Sequence, residues 1–197
     1  MFTGIVEERG RIAAFDRTDD GTTVRIEARS VVRGVAVGDS VAVDGACLTV
    51  TAVDDGSFTV HAVPETLRRT TLGDRRPGDG VNLERAMPAD GRFDGHVVQG
   101  HVDGAGTVRS VEAEGEGVRM TIGVPAHLAR YLVEKGSVTV DGVSLTVAAM
   151  VDDGFQVALI PHTLAVTTLG ERTTGDRVNL ETDVLAKYVD RLLEVRT

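Results

Sequence analysis

The sequence predicts an all-β protein: two small β-barrels in tandem, followed by one helix. Three observations carry this. The stretch Val43–Val50 returns as Val140–Val147, and over 43–84 against 140–181, 24 of 42 positions are identical. Short segments alternating polar and apolar residues recur between Gly-rich turns, the pattern of closely spaced strands. Only 184–197 departs from this, with Val184, Leu185, Tyr188, Val189, Leu192 and Leu193 at helical spacing.

Taken in order, Phe2–Val6 reads as a short strand holding a glycine at Gly4, and the second copy opens with Val98–Val102. A glycine inside a strand often marks close approach of a ligand or another backbone. Thr22–Ala28 and Gly117–Val124 alternate as half-buried strands do. Ala126–Val133, entered through Pro125, predicts a short helix, whereas the first copy has only Ser30–Arg33 there. In the central strand Leu48, Val50 and Ala52 share one face. Asp54-Asp55-Gly56 then signals a turn into the strand Phe58–Val63. Pro64–Thr66 and Pro161–Thr163 read as matching loops, and each copy closes on Gly-Asp-x-Val-Asn-Leu-Glu. A sheet closing on itself leaves no exposed edge, so we expect a barrel over 1–96, a second over 97–183, and a helix over 184–197. The helix either packs on its own barrel or joins chains together.

Composition excludes several functions. The chain is 42% hydrophobic and 26% charged, ordinary for a globular protein, and its net charge of −9 opposes binding to nucleic acid. Neither a membrane-spanning run nor a secretory leader is legible, and one cysteine among 197 residues forms no internal disulfide, so a cytoplasmic protein is expected. Dinucleotide and nucleoside-triphosphate fingerprints are absent.

Cys47 reads as a small buried hydrophobe or a ligand contact, because no cationic neighbour or helix N-terminus activates its thiol locally. His101 replaces Ile5 of the first copy, and histidine suits proton transfer near neutral pH, although a surface position is the plainer reading. His96 and His101 lie close in sequence, but no Cys/His cluster accompanies them and no metal is expected. Ser144 and Thr146 answer Cys47 and Thr49, so hydrogen-bonding groups recur at matching places in both copies. Such residues also suit strands and turns for their own sake. Asp44 and Asp141 stand in Asp-Gly turns, and Asp183 is placed to cap the terminal helix.

Together Met1–Val6, Gly100–Val102, Asp141–Thr146 and Ile160–Thr163 resemble the riboflavin synthase family of the alpha-chain type, a lumazine-binding repeat family, over essentially the whole chain. The resemblance implies two tandem six-stranded Greek-key barrels and a homotrimer held partly by the C-terminal helices. It implies dismutation of two 6,7-dimethyl-8-ribityllumazine molecules to riboflavin and 5-amino-6-ribitylaminouracil, a four-carbon transfer that ends riboflavin biosynthesis, with no cofactor. Association with lumazine synthase is left open. The working site would lie between the first barrel of one chain and the second of its neighbour. By this resemblance Gly4, Ile5, Val6, Cys47, Leu48, Thr49 and the loop His61, Ala62, Val63, Pro64, Glu65, Thr66 line the first pocket. Gly100, His101, Val102, Ser144, Leu145, Thr146 and the loop Ala158, Leu159, Ile160, Pro161, His162, Thr163 line the second. Lys135 would reach a ligand in the neighbouring chain. Cys47, His101, Ser144, Asp141, Asp183 and Ser40 are the polar groups expected to influence rate. Ala46 stands where some members carry a second cysteine, which leaves Cys47 alone. The same fold in a non-catalytic lumazine or flavin antenna protein is the main alternative. Retention of His101, Ser144 and Thr146 favours the enzyme. A purely structural pair of barrels would not explain the repeated polar groups, and the flavin barrel of reductases lacks support because its Arg-x-Tyr-Ser/Thr pattern is missing.

Overall fold

The computed structural model describes residues 1–18 and 21–194. The first copy supplies β1 (Glu8–Thr18), β2 (Gly21–Glu27), β3 (Ser40–Val43), β4 (Ala46–Asp54), β5 (Ser57–Ala62), the short helix α1 (Pro64–Arg69) and β6 (Gly80–Arg85). The second supplies β7 (Gly104–Glu114), β8 (Gly117–Gly123), α2 (Ala126–Ala129), β9 (Ser137–Val140), β10 (Val143–Thr146), β11 (Ala149–Val151), β12 (Gly154–Leu159), α3 (Pro161–Val166) and β13 (Arg177–Thr182). The terminal helix α4 covers Val184–Glu194; its expected last residues, 195–197, lie outside the described residues.

In the first copy the strands close in the order β1-β2-β5-β4-β3-β6, antiparallel throughout. The second copy keeps that order as β10-β9-β13-β7-β8-β12-β11. Its seven strands differ from the six expected because the counterpart of β4 is broken in two. In the first copy this place carries a register shift between Val50 and Ala52, which the longer strand absorbs as a bulge. In the second, Val147 bonds back to Lys135 and Gly136, while Ala148 donates to Gln156. The path of the chain is the same, but β10 and β11 are separate edges of an open ladder.

Alternation fills each interior with aliphatic side chains. Ile12, Ile26, Phe58, Val60, Leu72 and Leu83 are buried in the first copy. Val108, Ile122, Phe155, Val157, Leu169 and Leu180 answer them in the second. With no Trp and 4% aromatics, packing rests on β-branched residues that suit pleated strands. Two expectations need correction. The segments after Pro64 and Pro161 are helical turns rather than loops, because Pro at the first position presets φ. The helix expected over 126–133 stops at Ala129.

The opening segments do not extend β1 or β7. Phe2 and Val98 instead pair with each other, Phe2 N to Val98 O at 2.7 Å and Val98 N to Phe2 O at 3.1 Å. Each then crosses to the other copy. Ser144 N donates to Gly4 O at 2.7 Å, Cys47 N donates to Gly100 O at 2.8 Å, and Val6 packs on the second core. The two copies are therefore joined by exchanged arms.

Candidate functional site

Each central strand follows an Asp-Gly turn with both residues at positive φ: Asp44 at 45° and Gly45 at 81°, Asp141 at 47° and Gly142 at 77°. That is the tight hairpin geometry matching strand twist. The turns press together so closely that a Cβ on Gly142 would sit 2.7 Å from Gly45 N. Beneath them a polar network repeats about a pseudo-two-fold axis. Asp44 accepts from Arg75 at 2.7 Å and Asn82 N at 2.8 Å; Asp141 accepts from Arg172 at 2.7 Å and Asn179 N at 2.7 Å. Asn82 Nδ2 donates across to Asp141 O, and Asn179 Nδ2 to Asp44 O. Burial and the facing Asp141 carboxylate push Asp44 up to about 6.

This network sets the starts of β4 and β10, which carry Cys47 and Ser144. The exchanged arms are seated on those residues by two buried carboxylates. Glu84 accepts from Thr3 N at 2.6 Å, Thr3 Oγ1 at 2.7 Å and Gly4 N at 3.0 Å. Glu181, its repeat partner, accepts from Gln99 N at 2.7 Å. Burial raises both carboxyls above the ordinary range. Gly4 and Gly100 have φ of 76° and 77°. A Cβ on Gly4 would meet Ser144 Cβ at 2.7 Å, and one on Gly100 would meet Cys47 Cβ at 2.6 Å. Both positions thus require glycine for conformation and for space.

The sequence grouping set Gly4 beside Cys47 and Gly100 beside Ser144; the contacts pair Gly4 with Ser144 and Gly100 with Cys47. Leu48 is buried inward, while Thr49 and Thr146 are exposed on their strands. Cys47 is partly exposed and packs with Phe2, Ala42 and Val98. The segments 61–66 and 158–163 leave the sheets at equivalent places, exposing Val63, Ile160 and both prolines while Ala62 and Leu159 stay buried. Glu65 is tied to Arg69 and Arg68, which hold its carboxyl below the ordinary range. His61, His162, His101 and Lys135 are exposed, Lys135 at a φ of 67°. Ile5 and Ser40 face one cleft of about 500 Å³ together with Thr3, Glu84, Met87 and Arg92.

Two of the rate candidates sit elsewhere. Asp141 has no exposure and its carboxylate is committed to Arg172 and Asn179, a structural task at the seam. Asp183 accepts from Leu185 N at 2.9 Å and so caps α4, while also acting on the ring of His96. Sequence reading weighed His96 only as a metal ligand and passed over its reach to Ser144. Its Nδ1 lies 2.7 Å from Ser144 Oγ. Glu84 and Glu181 were passed over too, although their identity in both copies at the end of a strand signalled them.

The lumazine binding domain model matches residues 3–86 and again 99–183. A riboflavin synthase of Mycobacterium bovis is 51% identical over 199 residues, covering 98% of each chain. One from Actinobacillus pleuropneumoniae is 45% identical, covering 98% of this chain and 90% of that one. Among solved structures, LumP complexed with 6,7-dimethyl-8-(1'-D-ribityl) lumazine superposes with a TM-score of 0.84 at 26% identity, covering 92% of this chain and 99% of that one.

Proposed function

Because the chain belongs to the riboflavin synthase family and carries the lumazine binding domain twice, we propose that it makes riboflavin by dismutation of 6,7-dimethyl-8-ribityllumazine. The observation that carries this is the repeated seat. Cys47 and Ser144 stand at equivalent strand starts, each under an arm from the other copy. Two alike pockets suit two molecules of one compound. One lumazine gives up a four-carbon unit and leaves as 5-amino-6-ribitylaminouracil; the other gains it and becomes riboflavin. The equation balances without oxidant or reductant. The 7-methyl group is acidic because its anion delocalises into the ring, so the protein has mainly to align two ring systems and move protons. Alignment alone can supply about 7–11 kcal/mol.

The reaction needs both pockets to face one another. We place the working site between the first barrel (1–96) of one chain and the second (97–183) of its neighbour in a homotrimer, with 184–197 as the joining segment. Support comes from α4, where Leu185, Tyr188, Val189, Leu192 and Leu193 are each 56–68% exposed, an apolar face without cover. The lone Cys47 suits a reducing, cytoplasmic setting. The identity of 51% to a synthase against 26% to LumP favours the enzyme over an antenna role. Purified protein given the lumazine alone is expected to form yellow-green fluorescent riboflavin, half a mole per mole consumed. Binding with an absorbance spectrum unchanged over hours would overturn the reading.

A further inference from the structure

A cleft of about 620 Å³ opens on the outer face of the first barrel, where β1, β2 and the turn into β5 meet the segment that follows β2. That is the size of a small-molecule site. Its walls are tied to one another. Ala28 N donates to Gly56 O at 3.0 Å. The Glu8 carboxylate accepts from the amides of Arg29, Ser30 and Val31 at 2.5, 2.7 and 2.9 Å, and so is committed to the backbone. Five arginines line the cleft against three carboxylates, in a chain whose net charge is −9. Two of the arginines are engaged, Arg9 with Glu171, and Arg25 with Ser57 at 3.0 Å and Asp54 at 3.8 Å. The side chains of Arg11, Arg29 and Arg33 are exposed and make no ion pair or hydrogen bond among the described residues; the same holds for Glu27 and Asp55. Arg11 and Glu27 are register partners across β1 and β2, so both project from the same outer face. None of these residues lines either seat.

We propose that this cleft binds a phosphorylated sugar or polyol, its phosphate on Arg11, Arg29 and Arg33 and its hydroxyls on Glu27 and Asp55. A guanidinium is always charged and presents paired N–H groups that match two phosphate oxygens. Here three of them come from β1, from the connection after β2 and from the helical turn Val31–Gly34. A phosphate monoester brings three terminal oxygens and close to two negative charges to meet them. The free carboxylates decide the rest of the ligand. Ionised Glu27 and Asp55 only accept hydrogen bonds and repel a bare anion, so they favour a phosphate that carries O–H donors with it. Ala28 and Val32 are the apolar side chains of the lining, too little surface to hold an aromatic ring or an acyl chain. Strands and a tied connection hold the charges in place before binding, which limits the ordering cost. The inference does not depend on the synthase reading.

Calorimetric titration of the full chain with ribose 5-phosphate, inorganic phosphate and ribose tests this. Ribose 5-phosphate is expected to bind once per chain, about tenfold or more tighter than inorganic phosphate, and ribose alone to give no heat. Its affinity should fall as sodium chloride is raised. Arg11→Gln, Arg29→Gln and Arg33→Gln are each expected to weaken it by about tenfold. Glu27→Gln combined with Asp55→Asn should erase the preference for ribose 5-phosphate over inorganic phosphate. All five side chains are exposed, so the variants are expected to keep the wild-type circular dichroism spectrum and thermal midpoint. Equal affinity of wild type for inorganic phosphate and ribose 5-phosphate would overturn the assignment of a sugar or polyol. Binding that the arginine substitutions leave unmoved, or no binding by wild type at all, would overturn the cleft as the site.

Discussion

Removing one guanidinium tests the seam between the barrels. Arg172 makes two hydrogen bonds to Asp141, which has no exposure at all. Without it a carboxylate is left buried and uncompensated, which costs about 3–5 kcal/mol. Arg172→Ala is therefore expected to lower the unfolding free energy in urea by that amount, and a loss below 1 kcal/mol would show that the network is not continuous. Asp141 also shows how far single residues were legible. The Asp-Gly pair predicted the hairpin, and the positive φ values bear it out. That its carboxylate faces Arg172 depends on the packing of two copies, which leaves no local mark. His101 drew notice because it breaks the repeat, yet it is exposed. His96, which touches Ser144, belongs to neither copy and so had no counterpart to be compared with.

Removing a helix tests assembly. Cutting the chain after Asp183 takes away the exposed face of α4 and its ion pairs from Lys187 to Asp103 and from Arg130 to Asp190. The cores of both barrels lie elsewhere. Light scattering of this truncation is expected to give a monomer with an unchanged β-sheet spectrum, and a persistent trimer would remove α4 from the interface. Strands were well signalled, because alternation and turn residues act within a few positions. The exchange of arms was not. It is made by backbone bonds such as Ser144 N to Gly4 O, which any residue type can supply. The break between β10 and β11 likewise turns on just two residues, Val147 and Ala148, below what periodicity resolves.

Acid should firm the fold rather than loosen it. Asp44, Glu84 and Glu181 all have carboxyls raised by burial. Each binds its proton more tightly when folded, so its contribution is full below the unfolded value and lost as pH rises through the folded one. For Asp44 that window runs from 3.8 to about 6. Self-repulsion at a net charge of −9 falls in the same direction. His96, lowered by burial, opposes this below its ordinary value but is a single group. The urea midpoint is expected to be higher at pH 5.5 than at pH 7.5, and a lower one would mean that other carboxylates dominate. The two seats themselves are counted by calorimetric titration with an 8-ribityllumazine lacking the 7-methyl group, which binds but forms no donor anion. Two molecules are expected to bind per chain, with Cys47→Trp and Ser144→Trp each losing one. A single site per chain, untouched by one of these substitutions, would contradict it.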